Sequence, residues 1–281
     1  MKEITFNHRK SSVIGMGTWR IGEGDLLKSQ REMEIIRYGL NHGVNVIDTA
    51  EMYGDGKSEA LIGKAIKGFD RDKFQIISKF YPNHATPKLI KQSLENSLKR
   101  LQTDYLDSYL LHWRGNTPLA ETVQGLEEVK KEGLIKSWGV SNFNLADLKE
   151  LAEVPDGQNC QINEDLYNLT SRGVEYSILP YQKEHQMYFV GYSPFGSDKN
   201  EFLSLKDDVG QVAAQKHISI FELLLAWVIR NNNVLSIPKT SDIAHFQSNL
   251  HATEIEFSKD ELELLDKIYP KPTKETTLDI I

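Results

Sequence analysis

Phe74-Gln75-Ile76-Ile77-Ser78-Lys79, the segment 87–101, and Tyr105-Leu106-Asp107-Ser108-Tyr109-Leu110-Leu111-His112 together decide the fold. The first and last are short runs of apolar, β-branched and aromatic residues, which predicts strands over 74–79 and 105–112. Between them, 87–101 sets Leu89, Ile90, Leu94, Leu98 and Leu101 on one helical stripe. Thr86 stands as a cap before a proline at the first helical position. Strand, helix, strand in that order is a parallel unit.

Outward from this unit the alternation continues. Strands are expected at 15–19, 46–48, 135–141, 160–163, 187–192 and 234–237, with helical spacing at 122–132 and 220–230. That makes eight strands, and residues 1–13 read as a hairpin capping the bottom. No Pro/Gly-rich linker interrupts the chain, so one (β/α)8 barrel over 1–281, an α/β TIM-type fold, is expected. Two features favour closure over a doubly wound sheet. No Gly-x-Gly-x-x-Gly follows an early strand. Polar residues also recur at strand C-termini: Asp48, Lys79, His112, Ser141-Asn142, Asn163-Glu164, Tyr192-Ser193 and Lys239-Thr240. In a closed parallel barrel all of these surround one mouth, where barrel chemistry sits.

Bulk properties narrow the function classes. Of 281 residues 40% are hydrophobic and 26% charged, ordinary for one sizeable core. A net charge of −7 gives no general attraction to nucleic-acid phosphates or anionic lipid, so neither partner is expected. The lone Cys160 builds neither an internal disulfide nor a cysteine zinc site, and no metal is expected. The start of the chain lacks a signal-peptide apolar core, and no apolar run approaches membrane-spanning length. A cytoplasmic monomer is the expectation.

Four residues carry the chemistry: Asp48, Lys79 and His112 at strand ends, and Tyr53 in the loop after Asp48. A buried lysine is expected to lower the pKa of a neighbouring phenol, and Asp48 to keep that lysine charged. A tyrosine so tuned donates a proton to a carbonyl oxygen as the carbon is reduced, while His112 orients that oxygen. Singly, each has an ordinary reading. Asp48 before Thr49 caps a loop, Tyr53 is a turn aromatic, Lys79 a solvated strand end, and His112 a satisfied imidazole. Their joint spacing is what raises the chemical reading.

Ile47-Asp48-Thr49-Ala50-Glu51-Met52-Tyr53-Gly54, with Glu59 after it, resembles the aldo-keto reductase motif around the catalytic tyrosine. Ile77-Ser78-Lys79, Leu110-Leu111-His112-Trp113 and Trp138-Gly139-Val140-Ser141-Asn142-Phe143 are similar to the family's next landmarks, in order. Gly191-Tyr192-Ser193-Pro194 and Ile237-Pro238-Lys239-Thr240 complete the resemblance, which runs from about Gly15 to Asn249. It implies that Asp48, Tyr53, Lys79 and His112 form the catalytic tetrad, with Tyr53 the proton donor. It also implies NADPH as cofactor, with NADH a weaker alternative. Ser141, Asn142 and Glu164 then meet the nicotinamide carboxamide, Tyr192 stacks on the ring, and Ser193, Pro194 and Gly196 approach the pyrophosphate. Gly17, Thr18, Trp19, Asp48 and Ile237 belong to the same cofactor set, with Lys239, Thr240, His245 and Asn249 at the adenosine end.

Two departures stand out. The family often has Asn-Gln where this chain has Asn163-Glu164, and Asp165 follows at a usually apolar position. Glu164 can still accept from a carboxamide NH2. His245 occupies the place of an arginine, so Lys239 and His245 favour a 2′-phosphate by less than a guanidinium does. Trp19, Tyr81, His112 and Trp113 are read as walls for a small carbonyl substrate, with Arg114 a further anion-attracting candidate. Loop 195–205 is read as a cover over the cofactor. The N-terminal half is similar to reductases of small α-dicarbonyls such as methylglyoxal.

Two other classes compete. A Schiff-base lyase would use Lys79 as nucleophile, but Asp48 opposes the neutral amine this needs. An NADPH-binding redox-sensing subunit with little turnover is the alternative outside catalysis.

Overall fold

A computed structural model describes residues 1–196 and 207–281. Strand β1 (Glu3–Phe6) pairs antiparallel with β2 (Arg9–Ser12). Asn7 and His8, at φ 47° and 58°, make the turn. A two-residue turn with both residues left-handed matches the right-handed twist of the strands it joins.

The second sheet holds β3 (Met16–Gly17), β4 (Val46–Asp48), β5 (Gln75–Phe80), β6 (Leu106–Leu111), β7 (Ile135–Ser141), β8 (Ile162–Leu166), β9 (Tyr188–Tyr192) and β10 (Val234–Ser236). All neighbours are parallel, and spatial order follows chain order. The first and last strands meet at a seam rather than a full ladder. A single bridge joins Ile14 to Ser236, with Gly15 N donating to Ser236 O at 2.7 Å and Gly17 N to Pro238 O at 3.1 Å. The approach there requires glycine, because a Cβ on Gly17 would meet the Ile237 carbonyl oxygen at 2.5 Å.

Helices follow the strands: α1 (Leu26–Asn41), α2 (Lys57–Ala65), α3 (Pro87–Leu101), α4 (Leu119–Lys131), α5 (Leu145–Glu153) and α6 (Ile178–Glu184) come after β3 to β8 in turn. After β9 come α7 (Asp207–Gln215) and α8 (Ile220–Val228), and after β10 come α9 (Ile243–Ala252) and α10 (Lys259–Ile268). Among the described residues, no helix is long and apolar enough to cross a membrane.

Most predicted bounds hold within a residue or two. Helix α3 buries Ile90, Leu94, Leu98 and Leu101, as its stripe requires, each contributing roughly 1.5–3 kcal/mol when fully buried. Thr86 sits at its N-cap, but the side chain makes no capping hydrogen bond. The proline's preset φ starts this helix instead. Helix α8 opens on a capping box, Ser219 and Glu222 each bonding the other's backbone N–H. The strand expected at 160–163 is displaced, running Ile162–Leu166.

The core has two parts. Outside the barrel, helix stripes pack on the strands; inside it, Phe6, Val46, Ile77, Leu110, Ile162, Val190, Leu235 and Ile237 form a separate cluster. Phe6 comes from the hairpin, so the hairpin plugs the barrel as the sequence suggested. Polar contacts hold it there. Asn7 Nδ2 donates to Ser108 Oγ at 2.7 Å, and the buried Asp107 carboxylate faces Arg9 and Arg71. With the bottom closed, the polar strand ends are left to build the other mouth.

Candidate active site

Strands β4 and β5 run side by side, pairing Asp48 with Ile77. Their C-terminal ends bring two opposite charges together inside the barrel: Lys79 Nζ lies 2.6 Å from Asp48 Oδ2 and 3.0 Å from the Thr49 carbonyl oxygen. Both side chains are almost wholly removed from solvent. Burial alone would pull the lysine down, but Asp48 and Glu164 push its pKa above the ordinary lysine value. Lys79 is therefore an ammonium across the neutral range.

Tyr53 reaches the same place from the loop between β4 and α2. The loop continues the sheet's pairing for two steps, with Thr49 N donating to Ile77 O and Glu51 N to Lys79 O. It then turns, Tyr53 N donating to Ala50 O and Ser58 N to Tyr53 O. The Glu51 carboxylate pins the loop to the end of β5, accepting from Tyr81 N at 2.7 Å. The Lys79 ammonium lies 5.4 Å from the Tyr53 ring centroid. The expected lowering of the phenol is outweighed here. Burial raises the Tyr53 pKa, Lys79 pulls it down, Asp48 and Glu164 push it up, and the net is well above an ordinary phenol. The structure thus corrects the expected direction: Tyr53 is held protonated.

His112 directly follows β6, with its ring centroid 5.8 Å from that of Tyr53. Burial and the Lys79 charge hold its pKa well below the usual histidine value, so the imidazole is neutral. Its Nδ1 is buried without a partner.

Asp48, Tyr53 and His112 open onto one cleft, with Lys79 wholly buried behind them. Gly17, Thr18, Trp19, Asp48, Tyr53, His112, Trp113, Ser141, Asn142, Glu164, Tyr192, Ser193, Pro194, Gly196, Ile237 and Lys239 all line it. Their contacts are specific. Thr18 Oγ1 donates to the Asp48 carbonyl oxygen at 2.7 Å, and Ser141 Oγ to the Glu164 carbonyl oxygen at 2.9 Å. Asn142 Nδ2 donates to the His112 carbonyl oxygen at 3.0 Å, and Tyr192 Oη to Asn142 Oδ1 at 2.7 Å. Asn142 and Ser193 hold left-handed backbone, φ 61° and 51°. Such strain in non-glycine residues gathers at functional sites.

Several expected positions lie elsewhere. Tyr81 stands behind Trp113, ring edge toward it at 6.0 Å, and lines a neighbouring hollow with Glu51 and His84. Thr240 bonds Asp242, and Asp242 caps α9 through His245 N. Thr240 and the exposed His245 thus gather at the start of α9, with the buried Asn249 farther along it, while Lys239 lines the cleft. Arg114 is engaged by Glu150 at 2.8 Å, which draws the guanidinium into a surface ion pair. The expected cover at 195–205 lies, from residue 197 onward, outside the described residues.

Sequence reasoning missed Met52 and Phe195, which also line the cleft. Each neighbours a motif residue, but an apolar side chain carries no chemical signal. Glu59, quoted within its motif without a role, accepts from Ser78 Oγ at 2.6 Å and from Arg100 Nε at 2.6 Å. It thereby braces the strand that carries Lys79.

The residues present suit a dinucleotide. A cleft lined by apolar and polar side chains lies beside the buried charges, and two lining side chains keep unpartnered polar atoms, His112 Nδ1 and Glu164 Oε2. A model of the aldo/keto reductase family matches residues 13–270. The chain is 43% identical over 271 residues to the methylglyoxal reductase YeaE of Escherichia coli (strain K12), across 95% of this chain and 94% of that one. Two crystal structures of aldo-keto reductases from Klebsiella pneumoniae, one in complex with NADP and acetate and one with NADPH, share its fold. Their TM-scores are 0.95 and 0.94 at 43% identity, covering 100% of this chain and 99% and 100% of theirs. With parallel strands in chain order, the charged pair at their C-terminal ends and these matches over nearly its whole length, the chain belongs to the aldo/keto reductase family.

Proposed function

We propose that this protein is an NADPH-dependent reductase of small aldehydes and ketones, with methylglyoxal-like dicarbonyls as the substrate class. The observation that carries the reading is the buried Lys79–Asp48 pair, 2.6 Å apart, beside a protonated Tyr53 and a neutral His112 at one cleft. The NADP- and NADPH-bound relatives and the similarity to a methylglyoxal reductase support the cofactor and substrate class.

When bound, the reduced dinucleotide supplies the two electrons that reduce the carbonyl carbon. Ser141, Asn142 and Glu164 hold the carboxamide, and the Tyr192 ring covers one face of the nicotinamide. Ser193, Pro194 and Gly196 meet the pyrophosphate, Lys239, Thr240 and His245 hold the adenosine phosphate, and Asn249 lies near the adenine. Gly17, Thr18, Trp19 and Ile237 border the same groove.

Tyr53 Oη gives its proton to the carbonyl oxygen. The Lys79 ammonium stabilises the phenolate this leaves, and Asp48 fixes the ammonium. His112 donates a hydrogen bond to the same oxygen as a neutral imidazole, which needs the tautomer with the proton on the nitrogen facing the cleft. Trp19 and Trp113 form the apolar wall, and Tyr81 supports Trp113 from behind.

The test is absorbance at the reduced-nicotinamide band with purified protein, methylglyoxal, and NADPH or NADH in turn. Oxidation that needs both protein and carbonyl, faster with NADPH, is expected. Retention of NADPH without turnover across an aldehyde panel would overturn it in favour of a redox-sensing role.

A further inference from the structure

Lys79 carries one positive charge, but two carboxylates face it. Asp48 Oδ2 is at 2.6 Å and Glu164 Oε1 at 3.3 Å. The second oxygen of Glu164, Oε2, is buried with no hydrogen-bond partner, in a residue that lines the cleft. Fully ionised, the trio holds a net negative charge that no further cation facing Glu164 balances among the described residues. The groups facing Glu164 are Asp48 from β4, Lys79 from β5, Tyr53 from the loop after β4, and Tyr192 from β9. Asp165 adjoins it on β8, while β7 contributes only the Ser141 hydroxyl, bonded to the Glu164 backbone. Lys79 is the only cation in this set.

Resting on the reductase reading above, we propose that Glu164 changes protonation with the charge of the bound dinucleotide. It meets the uncharged reduced ring as a carboxylic acid and the cationic oxidised ring as a carboxylate. Of the two carboxyls, Glu164 is the one that takes the proton, because Asp48 has the shorter bond to Lys79 and Glu164 has the unpaired oxygen. Burial first, and Asp48 second, hold the Glu164 pKa well above the ordinary carboxylate range, against the pull of Lys79. A glutamine, common here in the family this chain resembles, carries no such proton.

The balance is simple. Binding the oxidised dinucleotide releases one proton from Glu164 to solvent; binding the reduced form releases none. In the reductive direction the alcohol oxygen takes a proton from Tyr53, and Glu164 gives up one of its own. Lys79 Nζ, facing both side chains, is the atom that passes it on. The proton consumed by the reaction is thus already inside the site.

The experiment is calorimetric titration of the purified full chain with NADP+ and with NADPH, each in two buffers of different ionisation enthalpy, across about pH 6 to 9. The 2′-phosphate and its surroundings are common to both forms and cancel in the comparison. Release of up to roughly one proton with NADP+ beyond that with NADPH is expected, with NADP+ affinity rising about tenfold per pH unit relative to NADPH below the Glu164 pKa. Glu164→Gln should remove this difference. Equal release with both forms in the wild type, or a difference that survives Glu164→Gln, overturns the proposal and leaves the reductase reading intact. The wild-type comparison alone decides the matter if the variant does not fold. No binding of either dinucleotide overturns both.

Discussion

Lys79 Nζ and Asp48 Oδ2 meet at 2.6 Å across the ends of two neighbouring strands, both buried within the barrel. Removing one partner of such a pair costs far more than the pair itself contributes, because the other charge is stranded. Lys79→Met strands two carboxylates, Asp48 and Glu164, and should destabilise the fold by about 3–5 kcal/mol at alkaline pH. The sign with pH follows from burial, which raises both carboxyls in the folded state. Groups raised on folding contribute stability that is complete below the ordinary carboxylate range and lost as pH rises through the folded values. The variant should therefore be least impaired in acid. Urea denaturation at several pH values checks this, and a deficit that grows toward acid would refute it.

Tyr53 is held protonated, which is the state a proton donor must start from. Tyr53→Phe keeps the ring beside His112 and removes only the hydroxyl. Carbonyl reduction should fall by about 10²–10⁴-fold, the usual contribution of a general acid, while NADPH binding by fluorescence stays close to wild type. Retained reduction would mean that another group protonates the oxygen.

The sequence was easiest to read where two signals coincided. Strand β7 and helix α3 begin and end where their patterns say, because turn residues and apolar spacing agree at their edges. That Asp48, Lys79 and His112 lie close together was legible because the strand ends of a parallel barrel share one mouth. Strand β8 was misplaced for the opposite reason. Asn163, Glu164 and Asp165 are polar but buried, so the polarity that suggested an early end marks side chains packed inside the protein. The sign of the Tyr53 shift was also hidden. It depends on how burial and two carboxylates weigh against one lysine, and spacing carries no such information. Tyr81 illustrates a third limit: its loop ends at the mouth, but the ring turns behind Trp113.

Asp165, without explanation in the sequence, has a physical consequence. Its Oδ2 accepts from Asn163 Nδ2 at 2.6 Å, while Oδ1 is buried and unpartnered. Burial raises its pKa well above the ordinary aspartate value. Its contribution to stability is therefore complete below the ordinary aspartate value and lost as pH rises through the folded one. Asp165→Asn removes the titration and should stabilise the protein at alkaline pH by about 1–3 kcal/mol, a gain that fades toward acid. Thermal melts of both proteins from acid to alkaline pH test this. Parallel curves would show that the carboxyl does not titrate in this range.

His245 lies exposed in the first turn of α9, its backbone N–H capped by Asp242 at 3.0 Å. A helix N-terminus with a lysine nearby already favours an anion. What the position lacks is the permanently charged planar fork that an arginine supplies. His245→Arg adds that fork without touching the Asp242 cap, which uses only the backbone. One charge-assisted contact of roughly 1.5–3 kcal/mol corresponds to a gain of about 10- to 150-fold in preference for NADPH over NADH. The ratio of dissociation constants for the two dinucleotides measures it, and raising the salt concentration should erode the gain, because the contact is exposed. If the ratio stays at the wild-type value, residue 245 does not face the phosphate, and Lys239 with Thr240 must carry the discrimination.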